Sequence, residues 1–187
     1  MKNFIRHTAI VLALFIVVLS STNNIYAEVE DSEVVHITIL GTSDTHSNLY
    51  GFTYEDDVET KNNGMARIST YLKEIRAKNP NTILIDNGDT YQGTILADAI
   101  YNKNFDVIHP VSKVFNYMEY DAVVLGNHEF NFGMDFVDKI TGELKMPVLA
   151  ANAVYKDSRE LAKPYTILEK DGVKIGIIGL TNPNAPR

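Results

Sequence analysis

The chain has 187 residues, 45% hydrophobic and 22% charged, a composition that suits one globular domain and leaves little room for two. Its 24 acidic against 17 basic residues give a formal charge of -7, which disfavours nonspecific binding to nucleic acid or anionic lipid because like charges repel. The absence of cysteine excludes thiol catalysis, Cys-ligated zinc and a disulfide framework.

Lys2 and Arg6 precede an uncharged apolar run from Thr8 to Leu19, followed by polar Ser20 to Asn24 and the small residue Ala27. This order predicts an export signal over residues 1–27 and a mature protein in the periplasm, on the cell surface or outside the cell. The run is short for a membrane span, which needs about 20 residues, so no stable insertion is expected once the signal is cleaved. An uncleaved anchor is the alternative. Residues 28–34 read as an acidic leader and residues 35–187 as the folded part.

Beyond the leader, short apolar runs alternate with amphipathic stretches. Val34 to Leu40 is rich in β-branched residues and predicts a strand. Tyr54 to Asn63 is polar and predicts an exposed loop. Met65, Ile68, Leu72 and Ile75 recur at helical spacing and predict a helix from Met65 to Lys78, stopped by Pro80. A second strand is expected over Thr82 to Ile85. Helices are expected over Gly93 to Tyr101 and Val107 to Met118. A third strand, Ala122 to Leu125, precedes a helix from Met134 to Leu144 and a short fourth strand from Pro147 to Ala151. Tyr165 to Leu168 and Val173 to Leu180 flank an Asp171-Gly172 hairpin signal. Strands alternating with helices imply an α/β fold whose sheet is at least partly parallel. In such sheets ligands gather beyond the carboxyl ends of the strands.

Three of those ends carry the same kinds of side chain. They are Gly41-Thr42-Ser43-Asp44-Thr45-His46, Asp86-Asn87-Gly88-Asp89 and Gly126-Asn127-His128-Glu129. Each alone reads as ordinary turn chemistry. Together they point to a metal site at one edge of the sheet. Carboxylate, imidazole and amide oxygen without thiolate suit Mn, Fe, Zn, Co or a similar divalent ion. A carboxylate on the middle motif, Asp89, is placed to bridge two cations. A two-metal site clamps the attacking and leaving oxygens of a phosphoryl displacement. An acidic protein that handles phosphate needs such cations to supply the attraction. His128 directly follows one candidate ligand, where its ring could stabilise charge or protonate a leaving oxygen.

These motifs resemble the first three signatures of calcineurin-like metallophosphoesterases. The segments 43–52, 85–94, 109–133 and 147–152 are similar to the exported 5′-nucleotidase superfamily, most of all to its 2′,3′-cyclic-nucleotide 2′-phosphodiesterase/3′-nucleotidase branch. The resemblance implies that Asp44, His46 and Asp89 hold one divalent metal ion, that Asp89 and Asn127 contribute to a second, and that His128 is catalytic. It implies an αββα sandwich, here partial, with a mixed sheet between helices. The implied activity is metal-dependent hydrolysis of 2′,3′-cyclic nucleotides and 3′-nucleotides. The alternatives are a 5′-nucleotidase or nucleotide-sugar hydrolase, or a truncated, noncatalytic metal- or nucleotide-binding remnant. A small nucleotide, not a nucleic-acid duplex, is the expected partner, and the oligomeric state is left open.

Two departures qualify the resemblance. In typical 5′-nucleotidases an Asp stands three residues after the catalytic histidine, whereas this chain has Asn131. An amide does not raise histidine basicity as a carboxylate does. Asn131 favours the cyclic-phosphodiesterase branch, and it also suits the cap of the following helix. The family further uses downstream histidines, including a Gly-His-x-His motif, and no histidine follows His128. His7 falls in the signal, and His36 and His109 read as structural. The expectation is a partial product carrying three of five ligand motifs, without the second, base-binding domain.

Overall fold

The computed structural model describes residues 34–53, 56, 58–183 and 185. The predicted export signal and most of the acidic leader lie outside them. Strand β1 (Thr38–Thr42), helix α1 (Met65–Lys78), strand β4 (Thr82–Asp86), helices α2 (Ile95–Lys103) and α3 (Pro110–Met118), strand β5 (Ala122–Val124), helix α4 (Met134–Glu143) and strand β6 (Val148–Leu149) follow the expected alternation. Between β1 and α1 lie two short strands, β2 (Phe52–Thr53) and β3 (Val58–Glu59). They pair antiparallel where only a loop was expected. Near the end come β7 (Tyr165–Lys170) and β8 (Val173–Ile178).

The main sheet has the order β1-β4-β5-β6, and all its pairings are parallel. In place of the expected mixed sheet, the described residues form a parallel sheet and two separate antiparallel pairs, β2–β3 and the β7–β8 hairpin. Strand β1 begins four residues later than its composition suggests, because β4 offers partners only from Thr82, which faces Thr38. Its last pair, Thr42 with Asp86, brings the next residues of both strands to one edge. Asp171 and Gly172 both have positive φ, 50° and 75°, as a two-residue turn of the primed type requires.

One face of the main sheet packs on helices. Leu84 and Val123 join Met65 and Leu72 of α1, Val111, Phe115 and Met118 of α3, and Phe136 and Ile140 of α4 in one buried cluster. The other face, with Ala122, Val124 and Leu149, meets Ile177 of β8. The hairpin is tied down by an ion pair, Lys170 Nζ to Asp121 Oδ1 at 3.4 Å. Asp121 Oδ2 in turn accepts the Leu84 N–H at 2.8 Å. At the far end, Asn152 and Thr181 exchange two hydrogen bonds, 2.8 and 2.9 Å.

Helix starts follow local capping. Thr94 Oγ1 accepts the Ala97 N–H, so α2 begins after Gly93 and not at it. His109 Nδ1 accepts the Val111 N–H and Pro110 occupies the first turn, so α3 starts three residues later than expected. His109 is buried beside Tyr91 and Phe136, and burial lowers its pKa to about 4. Its role is structural, as anticipated. Among the described residues no helix is long and apolar enough to cross a membrane.

Phe115 is fully buried in the helix-side cluster. Phe115→Ala should cost about 3–5 kcal/mol in urea denaturation. Lys113→Ala, on the exposed face of the same helix, should stay within about 0.5 kcal/mol of the parent chain.

Candidate functional site

The three strand ends are joined chiefly through main-chain atoms. Asn87 N donates to Thr42 O at 2.8 Å, Asp44 N to Gly88 O at 3.0 Å, His46 N to Asp89 O at 3.2 Å and Ser47 N to Thr90 O at 2.7 Å. The loop after β1 therefore runs alongside the loop after β4. Within these loops Asp44, His46, Ser47 and Asp89 have φ of 54°, 46°, 58° and 56°. Left-handed backbone at non-glycine residues is uncommon and concentrates at functional sites.

The third end is brought in by Glu129. Its buried carboxylate accepts four main-chain N–H groups: Asp89 at 2.9 Å, Thr90 at 2.7 Å, Tyr91 at 3.2 Å and Gly126 at 2.7 Å. Asp89 Oδ1 answers by accepting the His128 N–H at 2.8 Å. The approach demands glycine on both sides. A Cβ on Gly88 would stand 2.2 Å from Gly126 N, and one on Gly126 would stand 2.3 Å from Asp89 Oδ1.

Beneath the loops lies Asp86, wholly buried. It accepts hydrogen bonds from Thr42 Oγ1 at 2.6 Å, Gly88 N at 2.9 Å and Thr90 Oγ1 at 2.9 Å. Burial pushes its pKa up to about 7 in spite of those donors, and the nearby Glu129 charge adds to the rise. Thr42 Oγ1 also lies 3.0 Å from the Tyr120 hydroxyl.

The five residues singled out by sequence thus sit on three loops laced into one edge. The His46 and His128 rings meet edge to face with centroids 4.9 Å apart. His46 Nδ1 lies 2.6 Å from the Gln92 carbonyl oxygen. A carbonyl only accepts, so that ring nitrogen carries the proton and Nε2 holds the lone pair. His46 Nε2 stands 3.9 Å from Asp44 Oδ1. Metal–nitrogen and metal–oxygen bonds are each about 2 Å, so this spacing fits one divalent ion between the two atoms. The Asn127 side chain makes no hydrogen bond among the described residues, which leaves its amide oxygen available. Asp44, Asp86, Asp89 and Glu129 are not ion-paired with Lys or Arg among the described residues. No group of three His, Asp or Glu side chains among the described residues is arranged to hold a metal on its own.

Three residues carry more of the site than the sequence reading assigned them. Glu129 and Asp86 were visible as motif members, but nothing in their spacing announces which amides they accept. Gln92 lies outside the motifs, yet its side-chain oxygen is 2.7 Å from His128 Nδ1. Asn131 does not cap α4. That helix starts after Gly133 without a side-chain cap, and the Asn131 amide instead faces His128 Nδ1 at 2.9 Å.

A family model for calcineurin-like phosphoesterase matches residues 37–180. The trifunctional nucleotide phosphoesterase YfkN of Bacillus subtilis is 38% identical over 177 residues, which is 87% of this chain and 12% of that protein. A crystal structure of YfkN superposes with a TM-score of 0.74 and 38% identity, covering 81% of this chain and 50% of that one. The 2′,3′-cyclic-nucleotide 2′-phosphodiesterase/3′-nucleotidase of Yersinia enterocolitica is 35% identical over 80% of this chain and 25% of its own length. Human 5′-nucleotidase is 37% identical over 80% of this chain and 27% of its length. The chain thus spans between an eighth and under a third of these curated relatives.

Glu129→Gln keeps the size of the side chain but turns an N–H₂ toward amides that need an acceptor. It should lower stability by about 3 kcal/mol in urea denaturation, since hydrogen bonds to a charged group contribute about 1.5–3 kcal/mol each. Asp86 gives the opposite sign with pH. Folding raises its pKa, so the folded chain keeps a proton that the unfolded chain has lost. The resulting stability is full below about pH 4 and is lost as pH rises to about 7. The span is at most about 4 kcal/mol at about 1.36 kcal/mol per pKa unit. Urea midpoints of Asp86→Asn across pH 5 to 8 should lack that fall.

Proposed function

Because the chain belongs to the calcineurin-like phosphoesterase family, we propose that it hydrolyses nucleotide phosphoesters, namely 2′,3′-cyclic nucleotides and 3′-nucleotides, at a site that takes two divalent cations. The observation that carries this reading is the Asp44–His46 pair, with His46 Nδ1 turned to the Gln92 carbonyl and Nε2 standing 3.9 Å from the carboxylate at the laced strand ends. In this reading Asp44, His46 and Asp89 bind one ion, and Asp89 and Asn127 contribute to the other. Asp89 is suited to bridge, since one carboxylate oxygen accepts the His128 N–H and the other accepts no hydrogen bond among the described residues. Bound there, Mn, Zn, Fe or Co ions would neutralise phosphoryl charge and acidify an attacking water.

The chain's own part is orientation and proton transfer. The lacing of the loops fixes the carboxylates before substrate arrives, so little reorganisation is needed when charge develops. In this reading His128 stands beside the ligand residues and, once Nε2 as well as Nδ1 carries a proton, gives the Nε2 proton to the departing ribose oxygen. The export signal expected over residues 1–27 is consistent with action outside the cytoplasm. The αββα sandwich is the fold this reading assigns to the whole domain, with the β7–β8 hairpin belonging to its second sheet. The preference for cyclic and 3′-nucleotides follows the likeness to the Yersinia enzyme and the Asn at position 131. The identity with human 5′-nucleotidase supports 5′-nucleotides as the second reading.

The experiment is a substrate comparison in Mn²⁺, with 2′,3′-cyclic AMP, 3′-AMP and 5′-AMP offered to the purified chain. Turnover of the first two over 5′-AMP is expected, and the reverse order selects the second reading. His128→Ala should lower kcat by about 10²–10⁴-fold with Mn²⁺ binding retained. Asp89→Asn should weaken Mn²⁺ binding itself, read by electron paramagnetic resonance of the free ion. Unchanged turnover in both variants would sink the proposal.

A further inference from the structure

Gln92 contacts the rings of both histidines of the site. Its main-chain carbonyl oxygen lies 2.6 Å from His46 Nδ1, and its side-chain Oε1 lies 2.7 Å from His128 Nδ1. The Asn131 amide nitrogen is 3.2 Å from the same Gln92 Oε1 and 2.9 Å from His128 Nδ1. We infer that Gln92, braced by Asn131, is a positioning residue that holds His128 in its Nδ1–H tautomer and fixes the direction of its ring.

The argument is one of donors and acceptors. An amide oxygen only accepts, so the 2.7 Å contact needs the proton on His128 Nδ1. Asn131 Nδ2 then cannot donate to that nitrogen, and its hydrogen goes to Gln92 Oε1. The oxygen receives two donors and is held between them. With Nδ1 engaged on one edge of the ring, Nε2 is the nitrogen left to act on substrate. A neutral amide pair thereby does what a carboxylate partner does elsewhere, orienting the ring without placing a second negative charge beside it. Gln92 can serve both rings because it sits in the loop that the Glu129 carboxylate gathers, directly after Tyr91. The following Gly93 allows the His46 ring to lie against the main chain. A Cβ there would be 2.7 Å from His46 Nδ1, and its φ of 136° favours glycine.

The inference rests on the reading of His128 as the proton-transferring residue, but its test does not use activity. Ring-nitrogen ¹⁵N NMR of the purified, chelator-treated chain at pH 8.5 reports which nitrogen of each histidine carries the proton. The expected result is the Nδ1–H form for both His46 and His128. In Gln92→Leu, His128 should lose that form as its majority state, whereas His46, held by the main-chain carbonyl, should keep it. His46 is therefore an internal control, because a general loss of structure would move both rings. Gln92→Glu restores an acceptor and should return His128 to the Nδ1–H form, which also serves if Gln92→Leu does not fold. An Nε2–H majority for His128 in the parent chain, or a His128 spectrum unmoved in Gln92→Leu, overturns the inference. Absent turnover with the tautomer intact would count against the proposed reaction and leave the positioning role standing.

Discussion

The buried Glu129 carboxylate, which pairs with no Lys or Arg among the described residues, accepts four main-chain amides from two different strand ends. Left unmade, those bonds would strand both a charge and its donors in a low-dielectric interior, at a cost of several kcal/mol. The loop after β4 and the loop after β5 must therefore stay together as long as the chain is folded. The loop after β1 follows because it is hydrogen-bonded along the loop after β4. Positions of Asp44, His46, Asp89, Asn127 and His128 all descend from that one clasp.

Around the clasp the backbone is held in conformations that a free chain avoids. Four non-glycine residues there have positive φ, each an unfavourable choice by about 1 kcal/mol or more. Asp86 adds a carboxyl group whose burial works against its ionisation. The core under the helices, from Met65 to Ile140, supplies the stability that offsets both. Strain at the edge and packing beneath it are two sides of one arrangement: the site is rigid because the layer below is close-packed.

Much of this was legible in the sequence, and the reasons differ by element. Helix α1 was readable to the residue because its apolar spacing, its lack of internal breakers and Pro80 all agree. The parallel sheet followed from alternation alone. Strand β1 was misplaced because a strand ends where its neighbour ends, and that information lies forty residues away in β4. The candidate ligand residues stood out since three separated motifs share one chemistry. Gln92 and the true partner of Asn131 did not, because their contacts span up to 46 residues and involve amides, which are common on any surface. The same limit hid Glu129's function: an acceptor of main-chain N–H groups leaves no signature in the identities of the residues that donate.

The strand order has a consequence in time. Each strand of the main sheet pairs with the one before it, so each pairing becomes possible only once the later of its two strands has been made. Ordering the loop after β4 depends on a carboxylate that lies 40 residues downstream of Asp89. Until Glu129 has been made, the amides of residues 89 to 91 lack the acceptor they have in the folded chain. The nascent protein thus carries its ligand residues for some time before it carries a site. The motif that closes the geometry is the last of the three to be synthesised.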